Sequence, residues 1–303
     1  MKRRRRALGE WLIEKAIFLG GLASVLFVTL IIAFLVKEGL PLFGHTSPKE
    51  FFFGTKWNPT LPPPAGPEFG LIPNLWGSFL VTLGAAALAI PFGIATAIYI
   101  GQIVPRRLGD VLKGLIEILG VVPSVALGFI GAVVVTPVLK DLLNLDTGKS
   151  AIAGSVMLAF LAIPTIASIA EDAIESVPRD YGYASLALGA TKWQTITRIL
   201  VPAAKPGIIA AVMLGIGRAI GETMVVIMVT GNAGLLPDHG VWYAFTHAVR
   251  TITGTIGAEA LEVANGEPHY HALFMLGLVL LIITITLNSI ASFALGKKRV
   301  ARA

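Results

Sequence analysis

Five stretches of this 303-residue chain, 16–36, 69–105, 118–139, 150–170 and 272–296, contain no Asp, Glu, Lys or Arg. Each is long enough for a helix of roughly 20 residues to cross a bilayer. A sixth stretch, 206–237, qualifies apart from Arg218 and Glu222 in its middle. Only 14% of the residues are charged and 55% are hydrophobic, where a soluble domain carries about a quarter charged residues. In hydrocarbon every backbone polar group must be satisfied internally, which leaves helices as the reading of such runs. The sequence therefore predicts an all-α membrane protein with six transmembrane helices.

Orientation follows from the placement of Lys and Arg. The chain starts KRRRR ahead of an apolar run too long for a signal-peptide core of about 7–15 residues, so it reads as a retained first span with a cytoplasmic basic end. With six spans, segments 1–15, 101–117, 171–205 and 297–303 lie on the same side and hold 17 of the 24 basic residues. This places both termini in the cytoplasm. The net charge of +6 is accounted for by topology and does not call for nucleic acid. No Cys is present, which removes disulfides and thiolate metal sites.

The expected organisation is a basic N-terminus (1–15), a first span (16–37), an extracytoplasmic loop (38–73), a five-span core (74–296) and a basic tail (297–303). The loop contains FFFGTKWNPTLPPPAGPEFG. PPP favours extended backbone, and an aromatic triplet is expected to bury against something, so the loop reads as an ordered lid or docking element without much helix. Segment 231–270 carries His239, His247, His269 and His271 with Glu259, Glu262 and Glu267, but without compact metal-ligand spacing; no metal site is assigned. Pro91, Pro123, Pro137 and Pro164 fall inside spans and predict kinked helices around a path.

Between spans four and five lies YASLALGATKWQTITRILVP, 183–202. A helix can start near Pro178, run through Leu188 and stop at Gly189. Thr191 then opens a second helix, and Gln194 completes a T-x-x-Q capping box. Trp193, Ile196 and Leu200 follow on one apolar face, and Pro202 ends or bends the helix towards the next span. Physics alone leaves two readings open, a hairpin lying on lipid or a docking element.

In span five, Arg218 and Glu222 are four residues apart, which on a continuous helix puts them on one face. A lone Arg near the bilayer centre costs about 2.5–3.5 kcal/mol, so the pair is expected to face the bundle interior or a water-filled path. A guanidinium fork suits a tetrahedral oxyanion, to which it can donate two hydrogen bonds.

Stretch 183–202 resembles the signature loop of ABC-importer permeases, E-A-A-x3-G-x9-I-x-L-P. Ala184, Gly189, Ile199 and Pro202 are in register, while Tyr183, Ser185 and Val201 replace the usual Glu, Ala and Leu. Together with LIEILGVVPSVALGFIGAVVVTP (115–137), GRAIGETMVVIMVTGN (217–232) and HALFMLGLVLLIITITLN (271–288), the chain looks like the C-type permease subunit of phosphate-specific ABC importers. That resemblance implies the type I, MetI-like permease fold, with a coupling loop at about 172–202 docking on the ATPase through Ala184, Gly189, Trp193, Ile199 and Pro202. It implies an A-type permease as heterodimer partner, two ATPase subunits, an extracytoplasmic phosphate-binding protein, and Arg218 and Glu222 on the phosphate path. No cofactor is expected on this chain. ATP and Mg are expected on the ATPases, because the only echo of a P-loop, TGKS at 147–150, has Leu143 where the first Gly is needed. Permeases for phosphonate, sulfate or molybdate, and an ATPase-independent anion transporter or channel, are the rival readings; an intramembrane enzyme would need a nucleophile–base set, and none is seen.

Overall fold

The computed structural model describes residues 2–64, 66–234, 236 and 240–296; the expected basic tail, 297–303, and His239 lie outside the described residues. Among the described residues six helices are long and apolar enough to cross a membrane: Ile13–Gly44, Ile72–Ile103, Ser124–Leu143, Ala151–Glu175, Lys192–Ile220 and Pro268–Ile290. The first belongs to α1 (Lys2–Gly39), which packs on the last, α14 (Pro268–Gly296). Phe34 meets Phe274 edge to face at 5.3 Å between ring centroids. The rest of α1 leaves its apolar side chains exposed, as befits a surface that lipid or another membrane chain covers.

The bundle is built around α7 (Ala151–Glu175), which lies between α3 (Ile72–Ile98) and α10 (Val201–Ile220). Small residues make this close approach possible. A Cβ built at Gly215 of α10 would stand 2.4 Å from Ile166 Cγ1, and one at Gly93 of α3 would stand 2.7 Å from its Cγ2. Between helices in lipid, such packing is the main attraction, since burial from lipid yields no hydrophobic gain. The largest buried cluster, including Leu80, Val81, Leu158, Leu161, Val225 and Val229, sits where α3, α7 and α11 (Met224–Val229) meet.

The third span differs from the expected 118–139 run. It starts later, at Ser124, and runs through α5 (Ser124–Ile130) and α6 (Thr136–Leu143) to Leu143; the residues before the break at Val121–Pro123 belong to a separate helix, α4 (Arg106–Gly120). Pro123 has φ −57° and ψ 129°, outside the helical region, and proline disfavours helix in the residue before it. Three widened turns, at 99–103, 131–135 and 196–200, each end two residues before a proline: Pro105, Pro137 and Pro202. Proline donates no N–H and its ring displaces the carbonyl four residues back. A single π-type turn accommodates that.

The first loop is ordered, as expected, but more helical. Ser47 caps α2 (Pro48–Phe53), accepting from Glu50 N at 3.2 Å. Of the aromatic triplet only Phe51 is buried; Phe52 and Phe53 are exposed. The loop then forms a ribbon of β1 (Trp57–Asn58) and β2 (Glu68–Phe69), with Trp57 opposite Phe69. Among the described residues four further helices remain: α8 (Arg179–Ala187), α9 (Lys192–Thr195), α12 (Gly240–Thr246) and α13 (Ile252–Glu259).

Candidate functional site

Three features meet at one level in the bundle: the end of α4 at Gly120, just before span three, Pro164 midway along α7, and the end of α10 after Ile220. A Cβ on Gly120 would lie 3.6 Å from Pro164 Cβ, which fixes the first two side by side. Arg218, in the last turn of α10, joins them: it donates to the Gly120 carbonyl at 2.8 Å and to Thr165 Oγ1 at 3.3 Å. Helix ends free backbone carbonyls, and a cation at that level can use them.

The expected ion pair between Arg218 and Glu222 on one helical face is not formed. The helix ends between them: Gly221 is the cap, and Gly221 N–H donates to Gly217 and Glu222 N–H to Ala219 in a terminal turn. Glu222 is half-buried, and its carbonyl accepts from Thr253 Oγ1 at 2.9 Å. Gly221 closes the helix at φ −80° and ψ −5°, and a glycine at that point weakens continuation of the helix through its backbone entropy, an outcome that a count of four residues overlooks. Among the described residues Arg218 has only uncharged acceptors, and it is exposed on this chain.

From Arg218 towards the hairpin end, α4 and the lower half of α7 form a ladder of polar contacts. One turn below Arg218, Ser168 donates to Glu117 Oε1 at 3.2 Å. One turn further, Lys113 Nζ contacts Glu171 Oε2 at 2.6 Å and also Asp172. Glu117, Thr165 and Ser168 were not singled out from sequence. Lys113 and Glu117, spaced i and i+4, suggest a local pair, but each bonds across to α7 instead. The available signal was the i, i+3 pair of hydroxyls, Thr165 and Ser168, in an otherwise apolar span.

The hairpin follows the sequence closely. Helix α8 is capped by Leu188, and Gly189 has φ +85°, the left-handed turn that glycine permits. Thr191 and Gln194 form the capping box of α9 (Lys192–Thr195), with Gln194 N donating to Thr191 Oγ1 at 3.2 Å and Thr191 N to Gln194 Oε1 at 2.9 Å. Pro202 does not end the second helix; α9 passes through the widened turn directly into α10. Ile196 is buried, Ile199 and Leu200 half-buried, and Ala184, Gly189, Trp193 and Pro202 exposed. Leu188 (90% exposed) and Trp193 (60% exposed) project from the tip and side. Behind the hairpin, Arg179, Tyr183 and Lys192 line a cavity of about 280 Å³ with Gln102 and Glu175.

The opposite end holds a different cluster. Glu259 accepts from Trp57 Nε1 at 3.0 Å and His269 Nε2 at 2.8 Å and pairs with Arg250, which also donates to the Asn232 carbonyl at 2.9 Å. Burial alone would raise the Glu259 pKa; the hydrogen bond from His269, the charge of Arg250 and the Trp57 donor outweigh it and hold it below the ordinary value. His271 Nδ1 lies 2.7 Å from the Glu38 carbonyl, and His247 Nδ1 lies 2.9 Å from that of Tyr243. The P-loop echo serves as a cap: Ser150 Oγ accepts from Ala153 N at 3.3 Å at the start of α7.

Six spans, a polar seam and a hairpin at one end are arranged as in the type I, MetI-like permease fold of ABC importers. Solved importers share that fold. A structure titled "Inward facing conformations of the MetNI methionine ABC transporter" aligns at TM-score 0.54 and 20% identity, covering 75% of this chain and 93% of that one. A bacterial alginate ABC transporter, solved in complex with an alginate pentasaccharide-bound periplasmic protein, aligns at TM-score 0.58 and 16% identity, over 95% of this chain and 98% of that one. The family model described as "Binding-protein-dependent transport system inner membrane component" matches residues 72–300, and the chain belongs to this family. It is 38% identical over 269 residues to "Probable ABC transporter permease protein YqgH" of Bacillus subtilis (strain 168), covering 88% of this chain and 84% of that protein. It is 29% identical over 298 residues to "Phosphate transport system permease protein PstC" of Mesorhizobium japonicum, covering 92% and 85%.

Proposed function

We propose that this chain is the C-type permease subunit of an ATP-driven importer that passes inorganic phosphate across the cytoplasmic membrane, with Arg218 and Glu222 on the path. The observation that carries the reading is Arg218 itself: a permanent cation in the last turn of α10, level with the middle of α7, exposed on this chain and held by a carbonyl and a hydroxyl in place of a carboxylate. A charge at that depth faces a cavity or another chain, and its acceptors are weak enough for an oxyanion to displace. Likeness to phosphate-system permeases supports phosphate among the oxyanions.

The remaining parts of the reading follow the same frame. The first span and the 38–73 loop precede a five-span core, 74–296. An A-type permease covers the exposed Arg218 face, and an extracytoplasmic phosphate-binding protein meets the end carrying exposed Phe52 and Phe53. The coupling loop, through Ala184, Gly189, Trp193, Ile199 and Pro202, docks on two ATPase subunits that bind ATP and Mg. Both termini lie in the cytoplasm, following the Lys/Arg bias.

The test is uptake of labelled phosphate by the complete importer in proteoliposomes. The expected result is ATP-dependent uptake that Arg218→Lys lowers at least about ten-fold while the complex still assembles, because Lys keeps the charge and loses the planar fork. Uptake without ATP, or wild-type uptake by Arg218→Lys, would refute the proposed role.

A further inference from the structure

Glu117 stands one helical turn below the Gly120 carbonyl that Arg218 holds, on the same side of α4, facing the same pair of α7 hydroxyls. Its Oε1 is occupied by Ser168, but its Oε2 has no partner among the described residues. The nearest cation on its own helix, Lys113, is committed to Glu171 and Asp172. The seam thus presents, on neighbouring rungs between α4 and α7, a guanidinium that can donate and a carboxylate that can only accept. Both side chains are exposed on this chain, so both are open to whatever occupies the seam.

An anion drawn to Arg218 meets Glu117 next. Two anionic groups repel unless a proton lies between them. At neutral pH inorganic phosphate keeps at least one O–H, and sulfate keeps none. Phosphate can donate that O–H to Glu117 Oε2 while its other oxygens accept from Arg218; sulfate can only confront one carboxylate with another negative charge. Specificity of this sort is built by combining an attraction for one ligand with a repulsion against its rival.

We propose that Glu117 is a specificity residue of the permease, selecting protonated oxyanions such as phosphate over unprotonated ones such as sulfate, with Ser168 as the positioning residue that fixes its carboxylate. This rests on the reading of the Arg218 seam as the anion path. It adds a discrimination located in this chain, separate from any in a binding protein.

The experiment measures equilibrium binding of labelled inorganic phosphate and labelled inorganic sulfate to the detergent-solubilised importer without its binding protein. Wild type should prefer phosphate by at least roughly ten-fold, the worth of one hydrogen bond to a charged group. Glu117→Gln, which supplies an N–H donor as well as a carbonyl, should bring the ratio close to one, chiefly by gaining sulfate binding. Glu117→Asp should retain a preference for phosphate. Ser168→Ala should lower the ratio less than Glu117→Gln and leave total anion binding intact. Arg218→Gln should weaken both anions together. An unchanged ratio in both Glu117→Gln and Ser168→Ala, with Arg218→Gln still weakening both anions, overturns the role of Glu117 alone. Phosphate binding unaffected by Arg218→Gln overturns the path reading beneath it. If Glu117→Gln does not assemble, an unchanged ratio in Ser168→Ala is itself the overturning result.

Discussion

Arg250 and Arg218 show two ways of placing a guanidinium in this bundle. Arg250 and its partner Glu259 each expose only 16% of their side chains, and Trp57, His269 and the Asn232 carbonyl complete the cluster. Every strong donor there has an acceptor, so the cluster fastens the first loop to α13 and α14 and does nothing else evident from its geometry. Arg218 has no carboxylate, leans on two neutral oxygens, and is exposed on this chain. The contrast separates a charge used for construction from one kept available.

The largest effect should come from breaking the closed cluster. Arg250→Gln leaves a mostly buried carboxylate short of its cation, a loss of about 3 kcal/mol, and should lower the thermal midpoint and folded yield of the solubilised chain. Arg218→Gln should leave both within error of wild type. Equal destabilisation by the two would erase the distinction.

Next in size is the double change Arg218→Leu with Glu222→Leu. Were these two a mutually neutralising pair, apolar replacement would be tolerated. Because the helix ends between them, the double variant is expected to assemble and to lose phosphate uptake at least about ten-fold. Uptake equal to wild type would return Arg218 to a structural role.

The hairpin supplies a smaller effect. Trp193→Ala removes an aromatic that is 60% exposed, so stability should hold. Recovery of the ATPase on the tagged permease should fall as for the loss of an interface anchor, about 1–2 kcal/mol. Undiminished recovery would favour a hairpin resting on lipid.

The smallest effect is a pH dependence confined to the closed cluster. The Glu259 pKa is lowered by folding, so its contribution is present above the unfolded carboxylate value, about 4.3, and is lost as pH falls through the lower folded value. The thermal midpoint should be flat from pH 7 to 5 and drop below about pH 4, with a shallower drop in Glu259→Gln. Identical slopes in the two chains would show that Glu259 is not the group responsible.

The sequence by itself determined the features that depend on neighbours along the chain. Charge-free runs of bilayer length must become spans, because water is absent to satisfy their backbone. Gly189 and the Thr191–Gln194 box determined the hairpin, because capping is a matter of three or four consecutive residues. Tertiary structure decided the rest. Periodicity read Arg218 and Glu222 as one face, but the helix ends at Ile220, and the Glu222 carbonyl is held by Thr253 of α13. Pro123 predicts a kink within the 118–139 run, but only the structure shows a full break there, between α4 and α5. Glu117 and Ser168 lie 51 residues apart. Only the antiparallel packing of α4 on α7 joins them, and no pattern along a single segment encodes which surfaces of two helices will meet.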